Sequence, residues 1–220
     1  MKKTIWILGL SALLLIGGLY ATQNQLDPAK REVATGAAPN DLKNGDLIFQ
    51  TSLSSQSKAI QLATKSKYSH CGIVYQEGKA FYVLEAIQPV KTTPLGKWIA
   101  RGQGKHYVVK RLKNAAQILT PATLQKMKKE GEKLKGKNYD LTFEWNDDKI
   151  YCSELIWKVY QRATGIEIGK LEKLRDFDLT NDVVRKKMKE RYGNNIPMDE
   201  TVISPASVFD SELLTTVKSN

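Results

Sequence analysis

The sequence carries none of the short glycine motifs that mark the commonest ligand-driven chemistries. G-x-G-x-x-G, a Gly-Lys-Ser/Thr loop and G-x-S-x-G are all missing. Dinucleotide binding, P-loop phosphoryl transfer and a serine nucleophile elbow therefore lack their usual carriers. Histidine is rare, with two residues, and neither sits in a carboxylate-rich motif, which leaves a zinc site without a ligand set. Neither a cofactor nor a metal is called for. Cysteine is equally rare, with Cys71 and Cys152 alone, and none near residue 20, which excludes a lipoprotein anchor. Acidic residues are in deficit, 23 against 34 Lys and Arg, for a formal net charge of +11. No basic-aromatic motif accompanies that excess, so nucleic acid is not implied as a partner. Solvated faces carrying Lys126, Lys128, Lys129, Lys133 and Lys135 account for much of it. The charge is compatible with association at an anionic membrane or envelope surface. The chain has no internal repeat and no low-complexity tract.

What is present suits one folded domain with appendages: 220 residues, 41% hydrophobic and 26% charged. Lys2 and Lys3 precede an uncharged, largely apolar run from Ile5 to Tyr20. A basic start followed by a short apolar stretch reads as an export signal over residues 1–21, or as a retained membrane anchor. Leu19 is a poor residue for the small-x-small cleavage rule at Ala21, so the anchor stays open. Residues 22–40 lack apolar periodicity and read as a tether, with the folded domain over 41–220. The protein is accordingly expected to be exported, in the periplasm or cell envelope.

Within the domain, Asp46–Phe49 reads as a short strand. A helix is expected from about Ser55 to Lys65, opened by capping serines. Three runs rich in β-branched and aromatic residues follow: Tyr68–Tyr75, Phe81–Ile87 and Tyr107–Leu112. Thr120-Pro121 is a helix start, with Leu124, Met127, Gly131 and Leu134 on one face and Gly136 as the stop. A further helix is expected over Cys152–Thr164, closed by Gly165, and another over Asp182–Tyr192, closed by Gly193. Ser204-Pro205 opens a last turn of helix. Strands come early and helices late, which is an α+β order.

The segment 68–86 holds the candidate chemistry. If Glu77-Gly78 turns a hairpin, position 70 lies directly opposite position 85, with Cβ atoms about 4.5–5.5 Å apart. A slip of one residue would separate them, because side chains alternate faces. Glu85 is out of place in the apolar run Phe81-Tyr82-Val83-Leu84, and a buried carboxylate needs a partner; the alternative is a solvent-facing edge. His70 is a candidate base or, equally, a core histidine. Gly72, on the same face, leaves space beside the ring. His106 reads as a loop or strand-end residue.

Cys152 stands where a helix begins, a position whose N–H groups and dipole lower a thiol pKa and stabilise an oxyanion. Cys71 points to the strand face opposite His70 and reads as a small core residue. A Cys71–Cys152 disulfide is the competing assignment.

Several segments resemble the YiiX/YebB-like family of permuted papain-like cysteine hydrolases, within the wider NlpC-type superfamily. They are NGDLIFQ (44–50), SSQSKAIQLATKSKYSHCGIV (54–74), VLEA (83–86), GKNYDLTFEW (136–145), YCSELIWKVY (151–160) and NIPMDETVISP (195–205). The resemblance implies a circularly permuted papain-like fold, an antiparallel sheet packed against helices. It also implies Cys152 as nucleophile, His70 as base and Glu85 as the third polar member. Tyr151 stands where many unpermuted relatives carry an acidic residue; Tyr151 or Tyr139 is expected to line the site.

The implied reaction passes through a thioester, on a small peptide, an amino-acid amide or a cell-wall peptide. Two other functions use the same segments. A lipid acyltransferase or thioesterase would have an apolar trench beside Cys152. A non-catalytic envelope binding module would have an ordinary thiol there, or one bonded to Cys71.

Overall fold

The computed structural model describes residues 41–220. The two segments read as signal or anchor (1–21) and tether (22–40) lie outside the described residues. From Asp41 the chain runs through β1 (Leu47–Gln50), α1 (Ser57–Thr64), β2 (His70–Glu77), β3 (Ala80–Glu85) and β4 (Lys91–Pro94). Then follow α2 (Leu95–Ala100), β5 (Val108–Leu112), α3 (Ala115–Ile118), α4 (Pro121–Leu134), and the two-residue strands β6 (Asn138–Tyr139) and β7 (Lys149–Ile150). The last part comprises α5 (Cys152–Thr164), β8 (Glu172–Lys173), α6 (Asp182–Tyr192), β9 (Thr201–Val202), α7 (Pro205–Phe209) and β10 (Leu214–Ser219).

Six strands form one antiparallel sheet in the order β10-β5-β1-β2-β3-β4. Alternation along the strands divides the core in two. Leu47, Phe49, Cys71 and Ile73 face α4 and α5, meeting Met127, Leu134, Leu155, Ile156 and Val159. Ile48, Val74, Val83 and Val109 face the other way, under Leu42, Leu95, Trp98 and Tyr107. Both faces are therefore covered, which is why β1 and the first half of β2 are apolar without a polar alternation. Each such side chain contributes about 1.5–3 kcal/mol by leaving water. Helix α4 comes very close to the sheet at Gly131, where a Cβ would stand 2.6 Å from Leu84 Cδ2.

Local signals place the helix ends well. Thr120 Oγ1 accepts from the Thr123 N–H (3.2 Å), Asn181 Oδ1 from Val183 (2.9 Å) and Ser204 Oγ from Ser207 (3.0 Å). Gly165 closes α5 in the left-handed region, at φ +78°. The serines before α1 do something else. No side chain caps that helix, whose first turn follows Gln56. Instead Ser57 and Ser69 share a hydrogen bond of 2.6 Å, and Ser69 Oγ accepts from the Ser52 N–H. The serines thus tie the start of α1 to the start of β2.

Two departures matter for the site. The β2–β3 turn falls on Gly78-Lys79 and not on Glu77-Gly78, because Glu77 pairs with Ala80 and Ile73 with Leu84. Gly78 supplies the positive φ (+60°) of that turn. Strand β4, helix α2 and strand β10 are also absent from the sequence reading. They are short or polar (KTTP, LGKWIA, LTTVKS), and the two strands exist through ladder pairing and not through an apolar run.

Candidate active site

The shifted turn sets residue 72, not 70, opposite Glu85, yet His70 and Glu85 still meet. The shift is by two residues, so the side chains keep their face and become diagonal neighbours, within reach of long side chains. His70 Nε2 and Glu85 Oε2 lie 2.6 Å apart, with His70 nearly buried and Glu85 fully so. Gly72 serves a purpose other than the one expected of it. A Cβ there would be 2.4 Å from Val83 Cγ1 and 2.8 Å from the Leu84 carbonyl, so the glycine admits strand β3 rather than a group beside the ring.

The second oxygen of Glu85 is held by residues with no sequence signal. Thr93 Oγ1 on β4 donates to Oε1 at 2.5 Å, and the Arg101 guanidinium, just past α2, donates to the same oxygen. Burial opposes ionisation of Glu85, but His70, Thr93 and Arg101 outweigh it and hold the carboxyl below its usual range. Trp98 of α2 stacks against the imidazole at 5.8 Å between ring centroids. The ring is therefore fixed on one face and at one nitrogen, leaving Nδ1 for another partner.

That partner is Cys152, the first residue of α5. Helix α5 packs on the Cys71 face of the sheet, with its N-terminus over the beginning of β2, so the sulfur reaches both neighbours in sequence. The Cys71 thiol, the Cys71 backbone N–H and His70 all favour the charged form of Cys152. Hydrogen bonding from Cys71 is the largest influence on the Cys152 pKa; burial opposes it, and the His70 bond and charge add to it. The balance lies well below the ordinary thiol value. Burial lowers the His70 pKa, but the bonds and charges of Cys152 and Glu85 raise it more, up to about 9. Thiolate and imidazolium thus stabilise one another. Cys71 itself is pushed up by burial and by the thiolate it faces. Both cysteines are free, and Cys71 is not merely core packing: it favours the thiolate of the nucleophile candidate.

The residues around the helix start act as clamps. Glu154 Oε2 accepts the Tyr151 N–H at 3.2 Å, the Tyr151 hydroxyl accepts the Ile203 N–H at 3.0 Å, and Ser153 Oγ donates to the Ile203 carbonyl at 2.8 Å. Tyr151 thus anchors the segment 202–205 beside Cys152. Asp147 belongs to a second clamp, with Lys158 and Arg162 each 2.8 Å away. His106 stands apart from the site, its Nδ1 3.3 Å from the Asn220 carbonyl oxygen.

Two cavities flank this centre. The first opens beside Cys152. Its walls are mainly apolar: Ala59, Ile60, Phe143, Leu174, Val184 and Met188 are among them. The second, more open, lies beside His70 and carries more polar groups than the first: Gln50, Ser52, Ser54, Ser69, Gln88 and Arg101 stand on its walls beside the apolar Leu53, Ala86, Ile87 and Leu141. Gln56 and Tyr139 line both. Tyr139 accepts from Gln56 Nε2 at 2.8 Å, which leaves its own hydroxyl proton to donate. Burial and the nearby Cys152 charge push Tyr139 upward, so it stays protonated.

A strand-borne imidazole held by a carboxylate, facing a helix-start thiol that comes later in the chain, is the arrangement of a cysteine hydrolase with permuted papain order. Residues 41–218 match the family of permuted papain-like amidase enzymes, YaeF/YiiX, C92 family, and the chain belongs to that family. It is 51% identical over 175 residues to the uncharacterized protein YiiX of Escherichia coli (strain K12), covering 80% of this chain and 85% of that protein. Its structure is similar to the crystal structure of metalloprotein YiiX from Escherichia coli O157:H7. That match has 52% identity and a TM-score of 0.78, covering 81% of this chain and 97% of the other. The donor set here does not fit a resident metal. Among the described residues no three His, Cys, Asp or Glu side chains are arranged to hold one ion, and His70 Nε2 is already committed to Glu85.

Proposed function

We propose that this protein is an exported cysteine acyl hydrolase, cleaving amides or esters whose acyl part is apolar. The observation that carries the reading is the apolar cavity opening at Cys152. A peptidase acting on cell-wall peptide would need a polar cleft there, whereas an acyl chain gains about 0.8 kcal/mol for each methylene it buries.

The chemistry follows from the site. Cys152 thiolate attacks the carbonyl carbon, and the electron pair moves to the oxygen. The resulting oxyanion is met by N–H groups at the start of α5 and by the Tyr139 hydroxyl. As the tetrahedral intermediate collapses, the carbon–nitrogen or carbon–oxygen bond breaks and His70 Nδ1 gives its proton to the leaving group. Water then attacks the thioester, losing a proton to His70, and Cys152 leaves as thiolate with release of a carboxylic acid. Glu85 holds the imidazole in the orientation and tautomer that this proton transfer needs. The basic surface suits work at an anionic envelope, where an export signal or anchor over residues 1–21 would deliver the domain.

The test is a substrate series on the full chain: N-acyl amides and p-nitrophenyl esters from two to fourteen carbons, against short cell-wall peptides. The expected outcome is a kcat/KM rising about fourfold per methylene until the cavity fills, and abolished by Cys152→Ala. Preference for the peptides, or no dependence on acyl length, would overturn the reading.

A further inference from the structure

The two cavities differ in chemistry, and the catalytic pair lies across their boundary. Cys152 lines only the apolar one and His70 only the second, which carries more polar groups, while Gln56 and Tyr139 belong to both. A scissile carbonyl at the Cys152 sulfur with its acyl chain in the apolar cavity must direct its leaving group toward His70, since His70 supplies the proton that group takes away. The cavity beside His70 is therefore the leaving-group side, a deduction that rests on the acyl-hydrolase reading.

Apart from the His70 imidazolium, Arg101 is the only cation among the described residues lining that cavity. Its one side-chain partner among the described residues is Glu85 Oε1, and 43% of the side chain is exposed. Its position is built. The Gly102 N–H donates to Ile99, a bridge joins Ser52 to Gly102, and the Gln103 N–H donates to Thr51 at 2.9 Å, so the chain on either side of Arg101 is tied to α2 and to the end of β1. One carboxylate thus carries the imidazolium on one oxygen and the guanidinium on the other. The guanidinium has donors beyond the one it spends on Glu85, and its planar fork matches an oxyanion. The cations of the apolar cavity are otherwise engaged, Lys187 with Glu190 at 2.6 Å and Arg191 with Gln56 and the Phe143 ring. Ser52, Ser54, Ser69 and Gln88 on the walls of the same cavity add hydroxyl and amide groups, alongside the apolar Leu53, Ala86, Ile87 and Leu141.

We infer that Arg101 is a specificity-determining residue that binds an anion on the leaving group, and that the substrates are N-acylated amino acids. The amino nitrogen is the leaving atom at His70, and its α-carboxylate, two bonds away, is held by Arg101. In cleavage the C–N bond breaks, the nitrogen takes the His70 proton, and the amino acid departs with its carboxylate still paired. Water then releases the fatty acid. No oxidant, metal or second substrate enters the balance.

The experiment compares N-lauroylglycine, N-lauroylglycinamide, N-lauroyl phosphoethanolamine and p-nitrophenyl laurate on the full chain. Wild type is expected to prefer N-lauroylglycine over the glycinamide by about ten- to a hundredfold in kcat/KM, the range of a charged hydrogen bond. Arg101→Gln slows every substrate by loosening Glu85, but brings the glycine-to-glycinamide ratio to near one. A merely structural role for Arg101 would leave that ratio unchanged. In full-length Cys152→Ala, calorimetry should show N-lauroylglycine binding at least tenfold tighter than the glycinamide, a difference removed by adding Arg101→Gln. Equal binding and turnover of glycine and glycinamide forms would overturn the inference, and preference for the phosphate would replace the amino acid with a phosphoryl headgroup. Failure to cleave p-nitrophenyl laurate, with the binding difference intact, would sink the acyl-hydrolase reading and leave the anion subsite standing.

Discussion

At the scale of single residues, the site turns on a thiolate with two protein partners. Cys71 is, with His70, one of the two side chains that lower the Cys152 pKa. Replacing it with alanine should therefore shift alkylation of Cys152 to higher pH, read by mass spectrometry with iodoacetamide across a pH series. In wild type, labelling should be rapid well below the reference value of about 8.5; identical profiles for wild type and Cys71→Ala would remove Cys71 from the mechanism. His70 gives the opposite limb. Its pKa is raised to about 9, so the imidazolium that protonates the leaving group is present below that value and is lost as pH rises through it. Hydrolysis of amides should accordingly hold from neutral pH upward and fall above about pH 9. Glu85→Gln keeps the shape but not the charge, and should lower kcat by on the order of 10²–10⁴-fold, checked by steady-state kinetics alongside a melting curve.

At the scale of elements, helix α5 is positioned by a buried carboxylate of its own. Glu154 accepts the Tyr151 N–H and lies 2.7 Å from Lys158, one turn on. Burial nevertheless exceeds these attractions and pushes its pKa up to about 8. A carboxyl raised in the folded state contributes stability below its unfolded value of about 4.3 that is lost as pH rises through the folded one. Glu154→Gln should therefore flatten the fall in stability between about pH 4.5 and 8, measured by urea unfolding. Unfolding curves with the same pH slope in both proteins would show that the side chain is ionised without penalty. Elsewhere the element boundaries follow local chemistry, as at Thr120-Pro121, Asn181 and Gly165. Strands β4 and β10 lacked such signals because a polar edge strand is specified by the partner it pairs with, Tyr82–Glu85 for one and Val108–Leu112 for the other.

At the scale of the molecule, both sheet faces and both cavities are completed within the described residues. Leu42 and Val217 already pack into the core on the α2 side. A fragment of residues 41–220 should therefore fold by itself, melting within a few degrees of the full chain by circular dichroism; an insoluble fragment would show that the preceding segment contributes to the core. Among the described residues no helix is long and apolar enough to cross a membrane.

The chain by itself determined the helix that begins at Cys152 and the face shared by His70 and Glu85. Both depend on information that is local in sequence: a helix start read from apolar spacing, and a two-residue alternation that survives a two-residue error in the turn. It also carried the order of histidine before cysteine that marks the permuted family. Only the tertiary structure decided which groups complete the centre. Thr93, Trp98 and Arg101 reach it because β4 and α2 fold back along β3, and Cys71 meets Cys152 because α5 begins over the start of β2. The apolar cavity is assembled from α1, α6, residues 174–179 and residues 202–205. These segments are far apart along the chain, and no periodicity within any one of them records that they enclose a common space.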